Sequence, residues 1–156
     1  ACAGVMTCAV ITRLVNGKTD VIMMLTGALG GLVAITAEPL TPTPLMAIII
    51  GAIGGIIVIL GTQALNKFKI DDVVGAIPVH LFAGIWGTLA VPLTNSGTSF
   101  GPQLLGTASI CAFVFVVSFI VWSIMKATIG IRISEEAEKE GTDIAETGVT
   151  AYAIRD

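Results

Sequence analysis

One side chain in this sequence can exchange a proton near neutral pH, and it lies in an apolar stretch. His80 is the only histidine among the 156 residues. Around it runs Ala76-Ile77-Pro78-Val79-His80-Leu81-Phe82-Ala83-Gly84-Ile85-Trp86-Gly87, and no Asp, Glu, Lys or Arg occurs between positions 73 and 95. A neutral imidazole offers one donor and one acceptor nitrogen. Taken out of water it favours its neutral form, which suits it to bond a small amine-like species or to relay a proton. An ionisable group inside a membrane span is costly, so its default reading is a place on a substrate or ion path. The alternative is a histidine satisfied by a hydrogen bond to a neighbouring helix. No second ionisable group lies in any span to form a relay, so if His80 has a relay partner, it lies outside this sequence.

Other reactive residue types carry little. Cys2, Cys8 and Cys111 sit in apolar runs without metal-ligand or CxxC spacing and read as small buried hydrophobes. No covalent chemistry is expected of the chain, so it is not read as an enzyme, and neither a metal nor a cofactor is implied. No basic cluster points to nucleic acid.

Composition sets the elements that must hold the histidine. Hydrophobic residues make up 54 % and charged ones 12 %, about half the charged fraction usual for globular domains. About half of the charged residues fall after position 131. The pattern predicts an all-α, polytopic transmembrane helix bundle at 1–131 with a polar tail at 132–156. An opening apolar run, 1–11, is shorter than the roughly 17–25 residues a span requires, so the sequence reads as the C-terminal part of a longer chain. Four complete spans are expected near 21–37, 45–65, 73–93 and 104–125, joined by connections rich in turn formers. Arg13 and Lys18 flank the first connection, Lys67 and Lys69 the third, and Lys126 and Arg132 follow the last span, while the second and fourth connections hold no Lys or Arg. The positive-inside rule then makes the first and third connections and the tail cytoplasmic. Gly27-Ala28-Leu29-Gly30-Gly31 and Gly51-Ala52-Ile53-Gly54-Gly55 each contain GxxxG, a spacing for close helix approach.

In the histidine span, Asp71-Asp72 opens the helix, where carboxylates cap free N–H groups, or simply mark a solvated cytoplasmic surface. His80 follows Asp72 by eight residues, roughly 12 Å along the axis. Helical spacing puts Ala76, Gly84 and Gly87 on the face of His80, leaving that face nearly bare, with Phe82 and Trp86 elsewhere as packing or lipid-facing residues. Pro78 removes a donor beside the histidine and predicts a kink. In the tail, three basic and seven acidic side chains give a net of −4. Residues 134–140 can form a short helix ended by Gly141, or the tail can stay solvated and disordered.

Taken together, these stretches resemble the C-terminal part of an ammonium transporter, from the Amt branch of the Amt/Mep/Rh superfamily. The resemblance is carried by Gly27-Ala28-Leu29-Gly30-Gly31-Leu32-Val33-Ala34-Ile35-Thr36, by Ile70-Asp71-Asp72 with Val79-His80 and Gly84-Ile85-Trp86-Gly87-Thr88, and by Gly130-Ile131-Arg132-Ile133, Glu138, Glu140-Gly141-Thr142-Asp143, Gly148 and Ala151-Tyr152. It implies an eleven-span membrane protein with a cytoplasmic C-terminus, of which this chain holds the end of span seven and spans eight to eleven. It also implies a homotrimer in the plasma or inner membrane, in contact with lipid, with one pore per subunit. His80 then corresponds to the second of the family's twin pore histidines, with Ala76 pore-facing one turn away. Gly141, Asp143 and Tyr152 fall in the regulatory tail, which packs on the cytoplasmic face and can meet a PII-type trimeric signalling protein. Departures from the pattern are Val73 for a usual proline, Leu81 for a usual glycine, Thr142 for a usual leucine, and Thr147 and Val149 for the commoner His and Glu.

The leading expectation is transport of ammonium or methylammonium, deprotonated and passed as neutral amine. An ammonium sensor on the same fold is the second; such sensors usually carry an appended domain, whereas this sequence ends at Asp156. A structural membrane subunit is the third.

Overall fold

Each of the first three helices starts or stops on a residue suited to the place. In the computed structural model, which describes residues 1–151, helix α1 (Cys2–Asn16) ends on Gly17 in the left-handed region at φ 70°. Glycine adopts that conformation without a Cβ clash. Asp20 caps α2 (Val21–Thr36), its carboxylate accepting from the Met23 N–H at 3.0 Å. Helix α3 (Pro44–Lys67) opens on a proline, whose missing N–H is lost where it would have no helical partner anyway, and Thr43 caps it.

A composite helix follows. It consists of a π-helical segment (Ile77–Phe82), α4 (Ala83–Ala90) and a 3-10 turn (Val91–Leu93). Helix α5 (Phe100–Thr128) and the short α6 (Glu135–Glu140) and α7 (Thr142–Thr147) complete an all-α chain, without a strand among the described residues.

Among the described residues, two helices, α3 and α5, are long and apolar enough to cross a membrane. Helix α2 is apolar and matches its expected bounds to within one residue, whereas the composite helix is apolar but starts later than the 73–93 span expected from sequence. The histidine helix loses its first turn because residues 73 and 74 form a turn and Gly75 is left-handed at φ 73°. A Cβ on Gly75 would also press on the Thr26 side chain.

Helices α1, α2 and α3 pack on one another, and the histidine helix packs on α2 and α3. Glycines set the close approach. A Cβ at Gly55 would sit 2.9 Å from the Gly4 carbonyl oxygen, and one at Gly54 would sit 2.7 Å from that of Gly30. The two glycine-rich stretches therefore face a neighbouring backbone, as small-xxx-small packing requires. Beside them Ala34, Ile50 and Ala90 form a buried cluster with Ile35 and Trp86 against it. The Trp86 indole N–H donates to the Ile50 carbonyl at 3.1 Å.

The chain divides into two compact units, Ala1–Cys111 and Ala112–Asp156, with the division inside α5. In the second unit Ser134 caps α6, accepting from the Ala137 N–H at 3.2 Å. Arg132 forms a two-pronged pair with Glu138 at 2.7 and 2.8 Å, which holds the exposed guanidinium above its ordinary pKa. Lys139 pairs with Glu135 at 2.7 Å, one turn away. Gly141, at φ 105°, separates α6 from α7, and left-handed Gly148 ends α7. The α6 helix matches the sequence expectation, whereas α7 was not foreseen.

A candidate pore-lining site around His80

The histidine helix begins on a single carboxylate. Asp72 Oδ1 accepts from the Ala76 N–H and Oδ2 from the Ile77 N–H, both at 2.8 Å. Sequence reading assigned the cap to Asp71 and Asp72 together; both of these bonds go to Asp72, and Asp71 is exposed. Pro78 has no N–H to place, and the next donor, Val79, bonds the Gly75 carbonyl at 3.1 Å. The Ala83 N–H then reaches back five residues to the Pro78 carbonyl. The proline thus sits in a widened π turn, with His80 in the middle of it.

That turn carries His80 to the surface of the unit. Val79 is 1 % exposed, whereas its neighbour His80 is exposed. The imidazole lines an open cleft of about 330 Å³ together with Leu81, Gly84, Ile85 and Thr88. The facing wall comes from the first turns of α5 and includes Gln103, Gly106, Thr107, Ile110 and Cys111. Among the described residues no Asp, Glu, Lys or Arg lines the cleft, and its polar groups are the imidazole, one amide, two hydroxyls and the Cys111 thiol. The Thr88 hydroxyl donates back to the Gly84 carbonyl at 3.0 Å. The buried Thr107 hydroxyl has no hydrogen-bond partner among the described residues. Such a lining suits a small uncharged species with hydrogen-bonding capacity and offers nothing to hold a fixed charge.

The face expected from sequence is only partly realised. Gly84 lines the cleft beside His80, but Gly87 is buried against α2, where an added Cβ would lie 2.5 Å from the Ala34 carbonyl oxygen. Ala76 is exposed at the helix start and outside the cleft lining. The reason is the π turn: one extra residue per turn breaks the 3.6-residue spacing from which the common face was read. Phe82 and Trp86 are packing residues, Phe82 against Gly61 and Trp86 on Ile50.

The cysteines also divide, with Cys8 buried between α1 and its neighbours, Cys111 half-buried on the cleft and Cys2 exposed. Reading all three as buried overlooked that apolar runs do not say which face a residue takes: Cys8 packs on Gly27 and donates to the Gly55 carbonyl at 3.5 Å, whereas Cys2 is exposed although its neighbours Ala1 and Ala3 border Gly31 and Gly51.

The α5 wall was missed by sequence reading, although its signal was present. Gln103, Gly106, Thr107 and Ile110 recur at helical spacing and so share one face. At the other end of the histidine helix, the Asn95 amide donates to Glu38 at 2.9 Å and joins the two connections that lack Lys and Arg. In the tail, Gly141 separates the two short helices and the Asp143 carboxylate accepts from the Ala151 N–H at 2.8 Å. Tyr152 lies outside the described residues.

Comparison with known proteins converges on one group. The sequence profile of the Ammonium Transporter Family matches residues 1–152. The chain is 40 % identical to the ammonium transporter Amt2 of Archaeoglobus fulgidus, over 97 % of this chain and 37 % of that protein. It is 33 % identical to the ammonium transporter of Bacillus subtilis, over 97 % of this chain and 42 % of that protein. It therefore spans about two fifths of the length of these curated relatives. A solved structure described as a sensor Amt protein superposes with a TM-score of 0.85 at 29 % identity, covering 93 % of this chain and 39 % of that one. A profile match over nearly the whole sequence, together with the shared helix arrangement, shows that the chain belongs to the ammonium transporter family.

Proposed function

We propose that this chain is the C-terminal part of an integral membrane transporter for ammonium and methylammonium, with His80 lining the passage. The observation that carries the reading is the imidazole itself: among the described residues it is the one histidine, and it reaches a cleft lined by small, apolar and neutral polar groups and free of Asp, Glu, Lys and Arg. Small polar linings of this kind pass a neutral amine and exclude ions that keep their hydration shell. Gly84 leaves room beside the ring, while Asp72 and Gly87 fix the helix that carries it. Ala76 belongs to the same passage only through its position at the helix start. Transport is favoured over catalysis because the relatives that match nearly all of this chain are described as ammonium transporters.

In this reading residues 1–131 are the membrane domain and residues 132–156 a cytoplasmic regulatory tail that includes Gly141, Asp143 and Tyr152. The alternation of basic residues supports that orientation, and the Glu38–Asn95 bond supports placing the second and fourth connections on one side. A homotrimer in the plasma or inner membrane and a PII-type signalling protein at the cytoplasmic face are the expected partners. The test is methylammonium uptake by the full-length protein. His80→Ala should sharply lower the rate or change selectivity; unchanged uptake in a well-expressed variant sinks the assignment.

The likeness to a sensor Amt protein favours a second reading, in which the same site reports ammonium instead of conducting it. The higher identity to relatives described as transporters supports the first. Ammonium-driven flux in liposomes holding the full-length protein separates the two.

A further inference from the structure

We infer that Asp72 is a positioning residue for His80: its carboxylate sets the start, and with it the rotation, of the π-helical segment that carries the imidazole into the cleft. This rests on the pore reading above. A helix leaves its first N–H groups without internal partners, and here they can be accounted for one by one. Ala76 and Ile77 donate to the two oxygens of Asp72, Pro78 has no donor, and Val79 finds the Gly75 carbonyl. One side chain therefore satisfies both donors that the local backbone leaves over, at the short lengths of charge-assisted bonds.

Rotation matters because neighbouring residues have opposite surroundings. Val79 is 1 % exposed and packs inside the unit, while His80 faces the cleft. A start displaced by one residue would turn the helix by about 100°. That would draw the imidazole out of the cleft. The turn preceding the helix supports the same register: the Gly75 N–H bonds the Asp72 carbonyl at 3.4 Å, and left-handed Gly75 sits directly on Thr26. Asp72 thus holds the turn through its backbone and the helix through its side chain. Asp71, adjacent and exposed, holds neither of these helix-start bonds.

The experiment uses full-length protein and compares ammonium with methylammonium as substrates. Asp72→Asn keeps one acceptor oxygen and loses the charge. It should shift the ammonium-to-methylammonium selectivity ratio by about tenfold, the factor matching loss of one hydrogen bond to a charged group. Asp71→Asn should leave that ratio unchanged. A lower protein yield or lower thermal stability with an unaltered ratio would mean that Asp72 is only a cap, and the inference fails. Should Asp72→Asn not reach the membrane, Asp72→Ser, whose hydroxyl caps a single N–H, is judged on the same ratio. A His80→Ala variant with wild-type transport would instead overturn the pore reading itself, so the two failures are distinguishable.

Discussion

Gly87→Ala tests whether the histidine helix is held by backbone contact with α2. The added Cβ would meet the Ala34 carbonyl oxygen at 2.5 Å, the carbonyl carbon at 2.9 Å and Cα at 3.0 Å. Ordinary contact would require the helix to retreat by about 1 Å. Every atom met is backbone of a packed helix, so no side-chain rotation relieves the overlap. Overpacking of this kind costs about 1–3 kcal/mol. Replacing glycine by alanine within a helix returns about 0.5–1 kcal/mol. The net expectation is a loss of about 1–2 kcal/mol, felt on the helix that carries His80. Gly101→Ala, where a Cβ meets nothing within 4 Å, is the matched control. Thermal unfolding of the purified full-length variants in detergent should place Gly87→Ala clearly below both wild type and Gly101→Ala. If Gly87→Ala unfolds at or above the wild-type temperature, the close approach of the histidine helix to α2 is wrong.

Two further outcomes are expected. Deleting residues 132–156 should reduce transport without preventing membrane insertion, measured as uptake against the amount of protein in the membrane; full activity would show that the tail is not a coupling element. Residues 1–156 alone, reconstituted in liposomes and followed by internal pH after an ammonium jump, should not conduct, because His80 stands exposed on an open cleft. Flux above that of empty liposomes and lost on His80→Ala would contradict this, since the midplane sites of such transporters are built between two halves.

Much of the arrangement is legible in the residues alone. An isolated histidine within an uncharged apolar run singles out the candidate site, since an ionisable group in a membrane span is costly. Turn formers bound the helices, small residues at a spacing of four foretell the tight packing of α2 and α3, and Ser134 and Gly141 bracket α6 because capping is a local property. The rotation of the histidine helix is not local. Gly84 and Gly87 are chemically alike, and only the α2 backbone decides that one borders the cleft and the other is pressed on Ala34. The π turn that separates their faces arises from Asp72, Gly75 and Pro78 acting together, and apolar periodicity does not register a shift in hydrogen-bond partner. Cys2 and Cys8 likewise look the same in sequence, and only the second is enclosed by neighbouring glycine backbones. Sequence alone determined which residues are candidates for chemistry and which segments are helices, because composition and capping act over a few positions. Which face each residue presents was decided by tertiary packing, because it depends on contacts between helices far apart in the chain.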